Sequence, residues 1–309
     1  MSLFLMCKPL YDVVIVGAGI AGLTAGIYAS SLGAKTLILE GSYPSRLLLA
    51  KVIYNYPGFP EGISGRELLE RVRAQALKMG SEIRRGDVVS MILKTTIKSL
   101  MTRKETITAK AVIIATGIRR ERLNIPGEER FLGLGVSYCA ICDGPLYRNR
   151  RVAVIGYGDD AITDTIFLSS IAREVYFIPL KPLPKVHVDK LSAYGNVRLL
   201  LKVKVKSIIG RDRVEEVELV RDGEVEKVSV DGVFIITEET PTPDVIKNAG
   251  IRVDERGCIK VNQRQETNIE GVYTAGDCTC GGMQAITAAG QGALAAINAV
   301  AYIRSKRQL

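Results

Sequence analysis

Short apolar segments and longer periodic segments alternate along the chain, and glycine-rich turns separate them. Residues 11–16 are apolar and rich in β-branched side chains, which predicts a buried strand. A glycine-rich turn follows at 17–22, and then a helix is predicted over 24–31 and a second strand over 36–39. This order of elements predicts a β-α-β unit.

A second unit of the same kind is predicted near the middle of the chain. A strand at 152–155 meets a glycine-rich turn at 156–158, and a helix over 161–171 leads to another strand at 175–178. Two such units predict an α/β protein with two Rossmann-like, doubly wound dinucleotide-binding domains.

The later elements indicate that the second domain is inserted into the first. Three further strands and an Ala-rich helix are predicted at 111–115, 232–236, 271–275 and 283–303. Because the helix follows the last strand directly, the end of the chain is expected to return to the first domain. The first domain is therefore expected to comprise 1–120 and 251–309, and the inserted domain 121–250.

Composition and charge narrow the classes of function. With 309 residues, 47% of them hydrophobic and 24% charged, the chain is long enough for two domains with separate cores. The net charge of +9 fits a dispersed basic surface or attraction of an acidic protein or an anionic nucleotide. No nucleic-acid partner is expected, because the sequence has no reading helix, zinc pattern or basic stripe with aromatics. No segment approaches the roughly 18 apolar residues of a membrane span and no signal-type leader is present, so a cytoplasmic location is expected.

The first glycine-rich turn has the pattern of a dinucleotide site. Gly17 permits a sharp turn after the strand, Gly19 permits close approach of backbone N–H groups to a pyrophosphate, and Gly22 permits close packing of helix and strand. Glu40 ends the second strand, where a carboxylate binds ribose hydroxyls. Glycine-rich turns also occur for purely structural reasons, but the strand, helix, second strand and carboxylate agree here. The carboxylate is compatible with FAD or NAD and would repel a 2′-phosphate.

Cys139 and Cys142 form a Cys-X-X-Cys motif that is followed directly by Asp143. This spacing permits a small redox disulfide, in which one thiolate is stabilised by the other thiol and by a helix N-terminus. A metal site would need a second ligand pair, and Cys278, Cys280 and His187 are poorly spaced for one, so no metal is expected. Asp143 is interpreted either as a helix cap or as the acid that transfers a proton during dithiol–disulfide exchange.

In their order and spacing, the motifs resemble those of the low-molecular-weight thioredoxin reductase family along nearly the whole chain. The matching segments are GAGIAG at 17–22, YNYPGFP at 54–60, ATG at 115–117, CAICD at 139–143, GYGDDA at 156–161, TAGD at 274–277 and QAITAAGQG at 284–292. The T-x-G-D segment of two-dinucleotide flavoproteins lies at the ribityl chain of FAD. The resemblance therefore implies FAD in the first domain and a nicotinamide-type second domain that carries the Cys-X-X-Cys motif.

The resemblance also implies roles for individual residues. The FAD contacts would include Asn55, Ala115, Thr116, Gly117, Gly276, Asp277, Gln284 and Ala285. Cys142 would face the flavin, Cys139 would attack the disulfide of a thioredoxin-like or glutaredoxin-like protein, and Asp143 would be the acid/base. A homodimer is implied, as is rotation of the inserted domain about hinges near 119–120 and 248–250.

The second glycine-rich turn departs from the family pattern, so the electron donor stays open. Gly156, Gly158 and Ala161 are kept, and a pyrophosphate still fits there. NADPH-dependent relatives carry H-R-R-x-x-x-R after the second strand, whereas this chain offers only Lys181 and Lys185, which lack the bidentate guanidinium fork. In addition, the carboxylate at position 238 replaces a glycine near the nucleotide. NADPH, NADH and a donor other than a nicotinamide all stay possible.

Several alternatives accompany this interpretation. The leading interpretation is a flavin-dependent thioredoxin-disulfide reductase, and the alternatives are a flavin reductase or NAD(P)H oxidase, or a ferredoxin- or flavin-fed thioredoxin reductase that does not use NADPH. A flavin-bearing regulatory protein is disfavoured, because it has no use for a paired thiol beside an acid. Arg46, where the family has Gly-Gly-Gln, either faces flavin or phosphate or is solvated. Cys278 and Cys280 are either packing residues or a second redox pair, and Cys7 and Cys258 have no predicted role.

Overall fold

The computed structural model describes residues 11–120, 122–237, 239–240 and 244–307, so the predicted positions Cys7 and Glu238 lie outside the described residues. The strands are β1 (Tyr11–Val16), β2 (Thr36–Glu40), β3 (Glu82–Arg85), β4 (Val88–Ile92), β5 (Lys98–Thr102), β6 (Thr106–Ile114), β7 (Arg119–Arg120), β8 (Val136–Ser137), β9 (Arg151–Gly156), β10 (Glu174–Pro179), β11 (Val197–Leu199), β12 (Lys204–Ile209), β13 (Glu216–Arg221), β14 (Glu224–Ser229), β15 (Gly232–Ile236), β16 (Glu239–Thr240) and β17 (Val272–Thr274). The α-helices are α1 (Ile20–Ser31), α2 (Gly65–Lys78), α3 (Ala140–Asp143), α4 (Gly158–Ser169), α5 (Lys185–Ser192), α6 (Asp244–Asn248) and α7 (Ala285–Arg307).

The chain divides into two units: unit 1 comprises Met1–Arg119 with Thr240–Leu309, and unit 2 comprises Arg120–Glu239. In unit 1, β3, β2, β1, β6 and β17 form a parallel sheet in that order. The antiparallel strands β5 and β4 extend it beside the first half of β6. In unit 2, β11, β10, β9, β15 and β8 form a parallel sheet, and β12, β13 and β14 form an antiparallel meander. The α/β fold class with two Rossmann-like units is confirmed.

The central strand of unit 1 is buried on both faces, which explains its continuous apolar sequence. Val13 and Ile15 pack into one apolar cluster with α1 and α7, whereas Val14 and Val16 pack into a second cluster on the other side. Successive side chains of a strand point to opposite faces, so a parallel sheet covered on both faces needs apolar residues at every position.

Strand β9 has the same role in unit 2. Val152 and Val154 pack with α4, whereas Ala153 and Ile155 pack against the meander. The sequence periodicity therefore identified the central strand of each unit correctly. The predicted helix starts are late in both cases, because α1 and α4 begin directly within the glycine-rich turns.

The second unit ends at Glu239 rather than at the expected boundary of 250. The reason is α6, whose Ile246 is buried in the same apolar cluster as Val14 and Val16. The paired strands β7 and β16 lie at the two points where the chain passes between the units.

Helix α7 contradicts the expectation that no segment resembles a membrane span. From Ala285 to Lys306, α7 is long and apolar enough to cross a membrane, judged by length and composition only. Half of its most apolar part is buried inside the protein. Ala295, Ala296 and Ala299 pack in the apolar cluster with α1, so α7 is a core helix of unit 1.

Candidate cofactor and dithiol sites

The turn between β1 and α1 holds a conformation that requires glycine. Gly17 has φ of +116°, and a Cβ there would overlap the carbonyl group of Ala115. Among the described residues, no side chain caps the start of α1 at Gly19, and the first turn of this helix contains no acidic residue. Its backbone N–H groups and the positive end of its dipole are therefore available to an anionic group. Gly22 lies in the first turn of the same helix.

Glu40 ends β2 as predicted, and arginines hold its carboxylate. Arg73 of α2 forms an ion pair with Glu40 Oε1, and Arg85 Nε lies 3.8 Å from Oε2. A guanidinium stabilises the charged form of a carboxylate. Glu40 is therefore a fixed, negatively charged acceptor at the position where ribose hydroxyls bind in this kind of fold.

The two predicted strand-end segments meet beside the first glycine-rich turn. Ala115 follows β6, Ala275 follows β17, and these neighbouring strands are parallel, so both segments leave the same edge of the sheet. The amide of Ala115 donates to Val16 O at 2.8 Å, and that of Ala275 donates to Ile114 O at 2.9 Å. Thr116 Oγ1 is buried next to the Cys278 thiol and has no hydrogen-bond partner among the described residues. A buried hydroxyl of this kind is suited to a ligand.

Asp277 has a partner that the sequence did not identify. Arg46 Nη1 donates to Asp277 Oδ2 at 3.0 Å, across 231 residues of sequence. Arg46 therefore pairs with Asp277, a partner that differs from both the flavin or phosphate contact and the solvated state considered from the sequence. Gln291 of α7 also supports this segment, because its Oε1 accepts a hydrogen bond from the amide of Gly276 at 2.8 Å. Long-range pairs such as these have no local sequence signal.

Asn55 and Gln284 were predicted separately, and the structure brings them together. Asn55 Nδ2 donates to Gln284 Oε1 at 3.1 Å, and Ala285 is the first residue of α7. The YNYPGFP segment and the start of α7 therefore lie at one place in unit 1. All the residues predicted to contact FAD belong to this unit, and Gly117 follows Thr116 in a left-handed conformation with φ of +68°.

The Cys-X-X-Cys motif in unit 2 forms a disulfide. Cys139 and Cys142 are joined with Cα atoms 5.3 Å apart, and Cys139 is the N-cap of the short helix α3. The amide of Cys142 donates to Cys139 Sγ at 3.2 Å. Cys139 is half-buried and Cys142 is exposed, while the intervening Ile141 is 59% exposed. The disulfide is therefore at the protein surface, where another disulfide is able to reach it.

Asp143 follows Cys142 directly as the last residue of α3, and it is half-buried. Burial raises the pKa of Asp143, and a hydrogen bond from Ser137 Oγ to Asp143 Oδ2 at 2.6 Å acts in the opposite direction. Burial also raises the pKa of the nearby Tyr147 to about 12, with a smaller contribution from Asp143. Asp143 therefore binds a proton more readily than an ordinary carboxyl group. Sequence analysis missed Ser137, a small polar residue with no motif of its own.

The second glycine-rich turn has the expected shape but a different electrostatic character. A Cβ at Gly156 would overlap the Ile236 carbonyl, so the backbone turn again requires glycine, and Ala161 is buried in the adjacent helix. However, the first turn of α4 carries Asp159 and Asp160. His187 of α5 contacts this turn, because its Nε2 lies 3.1 Å from Asp159 Oδ1.

The predicted phosphate-binding lysines are placed differently from each other. Lys181 Nζ lies over the ring of Tyr157, 3.6 Å from its centroid, and Tyr157 is itself in the glycine-rich turn next to Gly158. This is a cation–π contact. Lys185 is exposed at the first residue of α5. Lys181 therefore reaches the glycine-rich turn, but its ammonium group already contacts the aromatic face of Tyr157.

The remaining cysteines contradict two interpretations from the sequence. Cys280 is disulfide-bonded to Cys258, which had no predicted role, and not to Cys278. Cys278 is a buried free thiol, and burial raises its pKa to about 11. The packing role considered for Cys278 fits this environment. Cysteine spacing could not reveal the Cys258–Cys280 bond, because the two residues are 22 positions apart.

Comparisons with known proteins agree with these two sites. The family model described as pyridine nucleotide-disulphide oxidoreductase matches residues 11–292. A thioredoxin reductase from Mycolicibacterium smegmatis is 37% identical over 96% of this chain and 97% of its own length. The crystal structure of thioredoxin reductase from Streptococcus pyogenes has a TM-score of 0.89 and 33% identity, covering 96% of this chain and 98% of that one. A ferredoxin-flavin thioredoxin reductase from Clostridium acetobutylicum has 34% identity and a TM-score of 0.52, covering 96% and 98%.

Two dinucleotide-type units and an accessible disulfide define a flavin-dependent disulfide oxidoreductase with FAD as its cofactor. The chain belongs to the thioredoxin reductase group of the pyridine nucleotide-disulphide oxidoreductase family. The uncapped helix start, the fixed carboxylate of Glu40 and the unpartnered hydroxyl of Thr116 fit a ligand with phosphates, a ribose and further polar groups.

Proposed function

We propose that this protein reduces the disulfide of a thioredoxin-like or glutaredoxin-like protein with its Cys139–Cys142 dithiol. The observation that carries the proposal is the surface disulfide at the start of α3, followed directly by a carboxyl group whose pKa is raised by burial. A helix N-terminus stabilises the thiolate needed for exchange. Burial makes this carboxyl group hold a proton more readily than an ordinary one, so it is suited to protonate a leaving sulfur.

The exchange needs only residues of unit 2 and the partner. In the reduced protein, the Cys139 thiolate attacks one sulfur of the partner's disulfide, and the partner's second sulfur leaves as a thiolate that takes up a proton. Cys142 then attacks Cys139 Sγ, and the partner's first sulfur leaves with a second proton. Two electrons and two protons pass to the partner, and the Cys139–Cys142 disulfide forms again. Asp143 supplies and recovers a proton at these sulfurs, and Ser137 orients its carboxyl group.

FAD binds in unit 1 under this proposal. The first turn of α1 with Gly17, Gly19 and Gly22 holds the pyrophosphate, and Glu40 accepts hydrogen bonds from the ribose. The other contacts come from Asn55, Ala115, Thr116, Gly117, Gly276, Asp277, Gln284 and Ala285. When bound, FAD supplies the two electrons that reduce the Cys139–Cys142 disulfide.

A donor other than NADPH is the second part of the proposal. Asp159 and Asp160 place negative charge where a pyrophosphate would meet α4, and Lys181 is engaged with Tyr157. No arginine follows β10 to grip a 2′-phosphate, because Pro179, Leu180 and Lys181 occupy that position. The likeness to a ferredoxin-flavin thioredoxin reductase supports an electron carrier in the place of a nicotinamide.

Rotation of unit 2 and assembly as a homodimer complete the proposal, on the strength of the family resemblance. The first hinge stays at Arg119–Arg120, and the second is placed at Glu239–Thr240 rather than at 248–250, because α6 belongs to unit 1. A cytoplasmic location and the lack of nucleic-acid and membrane partners are proposed with it. Light scattering of the purified protein measures the dimer directly.

An anaerobic titration tests the electron path. The yellow protein is titrated with NADPH, NADH and dithionite while flavin absorbance is followed, and a thioredoxin-like protein is then added. We expect dithionite to bleach the flavin and NADPH to fail, and we expect Cys139→Ser to abolish reduction of the partner. Bleaching by NADPH would refute the proposed donor alone. Partner reduction by Cys139→Ser at the parent rate would refute the assignment of the exchange thiol.

A further inference from the structure

A second disulfide lies in unit 1, away from the dithiol of unit 2. Cys258 and Cys280 are joined with Cα atoms 5.7 Å apart. The bond connects a loop near Asp254 to the segment that follows β17. This segment, residues 276–284, carries Asp277 near its start and Gln284 at its end, and is named the 276–284 segment below.

The Cys258 end of the crosslink is firmly anchored. Cys258 is buried, and its amide donates to Asp254 Oδ1 at 2.8 Å, which closes a tight loop. The amide of the next residue, Ile259, donates to the carbonyl of Cys278 at 2.9 Å. Ile259 is itself buried in the apolar cluster of β1. A crosslink to Cys258 is therefore a crosslink to the rigid part of unit 1.

The Cys280 end follows a single short 3-10 turn, Asp277–Thr279, and the amide of Cys280 donates to Asp277 O at 2.8 Å. Within the 276–284 segment, φ is positive at Gly276 (83°), Cys280 (56°), Gly282 (92°) and Met283 (46°). Left-handed backbone is unfavourable for residues with a Cβ, so Cys280 and Met283 need external constraints to stay in it. Gln291 supplies one, by donating from Nε2 to Gly281 O at 3.1 Å. The disulfide supplies a covalent one at the middle of the segment.

We propose that the Cys258–Cys280 disulfide is a reducible crosslink that positions the 276–284 segment for FAD. The inference rests on the proposed function, because it takes Asp277, Gln284 and Ala285 as FAD contacts. With the crosslink closed, the segment is preorganised, and binding FAD costs less conformational entropy. A dithiol that supplies two electrons and two protons opens the bond, becomes a disulfide itself, and leaves two thiols, Cys258 and Cys280. The buried thiol of Cys278 cannot replace either partner, since its Sγ points at the carbonyls of Ile114 and Ala275.

The first test asks whether the bond exists in the protein. A Cys139→Ser/Cys142→Ser variant removes the other disulfide and serves as the background. The variant is alkylated under denaturing conditions without reductant and digested, and its peptides are identified by mass spectrometry. We expect one linked pair of peptides that contains Cys258 and Cys280, with Cys278 alkylated. Recovery of Cys258 and Cys280 as separate alkylated peptides, even from protein first treated with oxidised glutathione, would overturn the inference.

The second test measures FAD binding in the same background. Apo-protein is prepared oxidised and reduced, and the FAD dissociation constant is measured by flavin fluorescence, with and without the further change Cys280→Ser. We expect reduction to weaken FAD binding roughly tenfold through the loss of preorganisation, and reoxidation to restore it. Cys280→Ser should bind FAD as the reduced form does and should not respond to reductant. If Cys280→Ser does not fold, the comparison of the oxidised, reduced and reoxidised protein with both cysteines present still tests the inference.

The outcomes separate this inference from the proposed function. If the oxidised apo-protein binds no FAD, the proposed function fails. If it binds FAD with one affinity in both redox states, the proposed function stands and the positioning role fails. A purely structural crosslink would lower the melting temperature of the reduced apo-protein and leave the FAD dissociation constant unchanged, which would also overturn the inference.

Discussion

The two glycine-rich turns have the same backbone design and opposite electrostatics. In unit 1, α1 starts with Ile20, Ala21, Gly22 and Leu23, so the positive end of its dipole is uncompensated. In unit 2, Asp159 and Asp160 lie in the first turn of α4 and compensate it. The glycines and the parallel strands preserve the fold in both units, but only the first turn presents an unopposed positive field to a phosphate. Fold and ligand preference are therefore set by different residues.

The carboxylates of the two units differ in a parallel way. In unit 1, Glu40 is paired with Arg73, and Asp277 is paired with Arg46. In unit 2, Asp143 has the hydroxyl of Ser137 instead, and burial raises its pKa. Charged, fixed carboxylates suit binding of a cofactor, whereas a carboxyl group that readily changes its protonation state suits thiol chemistry. Unit 1 is therefore suited to binding a cofactor, and unit 2 is suited to thiol–disulfide exchange.

Replacing Gly17 with alanine should produce the largest difference between the units. The added Cβ would collide with the Ala115 carbonyl at a φ of +116°, so we expect the FAD dissociation constant to rise by about 100-fold or more and the purified protein to lose its yellow colour. Flavin content per protein chain, measured by absorbance, checks the result.

Gly33→Ala is the matched control for Gly17→Ala. Gly33 has φ of +81° and nothing within 4 Å of an added Cβ, so it tests the cost of left-handed backbone without the collision. We expect this variant to keep its FAD. If both variants lose FAD equally, general destabilisation explains the loss, and the glycine at position 17 has no special role in the cofactor site.

The contrast between the units also shows which features could be predicted from the sequence. Local sequence rules predicted the buried strands and the glycine-rich turns that follow them, and the structure contains both. The glycines of these turns are at positions 17, 19, 22, 156 and 158. The Arg46–Asp277 pair and the Cys258–Cys280 bond join distant segments, and their formation depends on how β6, β17 and α7 pack. The domain boundary at 239 reflects the packing of α6 in unit 1, where Ile246 is buried and Val245 and Ala249 pack against the same apolar cluster. Local patterns specify elements, whereas tertiary contacts specify which polar groups become partners.

Asp143→Asn should have the second largest effect, and it acts on unit 2 alone. Asparagine keeps the shape and cannot transfer a proton, so we expect partner reduction to slow by about 100-fold while FAD content stays at the parent level. Stopped-flow measurement of partner reduction by the prereduced protein checks this. Asp189→Asn, at an exposed position of α5, is the control and should react at the parent rate. A parent-like rate for Asp143→Asn would show that Asp143 is not the acid of the exchange.

Removing the acidic pair of α4 should make the two turns more alike. In Asp159→Asn/Asp160→Asn, the repulsion of a pyrophosphate disappears, and we expect nicotinamide nucleotides to bind roughly three- to tenfold more tightly, as the size of charge–dipole effects predicts. Isothermal titration with NADH and NADPH checks the change. Asp164→Asn, later in the same helix, controls for net charge. Equal binding by the double variant and the parent would show that Tyr157 and Lys181, rather than charge, close this turn.

The smallest expected effect is a pH dependence of stability that comes from Asp143. Because its pKa is raised in the folded state, folded Asp143 binds a proton over a pH range in which the unfolded chain has lost it. Stability from this group is therefore complete below the ordinary carboxyl pKa and falls as pH rises toward the raised pKa, by at most about 1.4 kcal/mol per pH unit.

Denaturant unfolding across this pH range measures the effect, with Asp143→Asn as the reference that lacks it. Ser137→Ala removes the hydrogen bond that favours the carboxylate, so the pKa of Asp143 should rise further and the loss of stability should extend to higher pH. If the parent and Asp143→Asn unfold with identical pH profiles, Asp143 titrates as an ordinary carboxyl group.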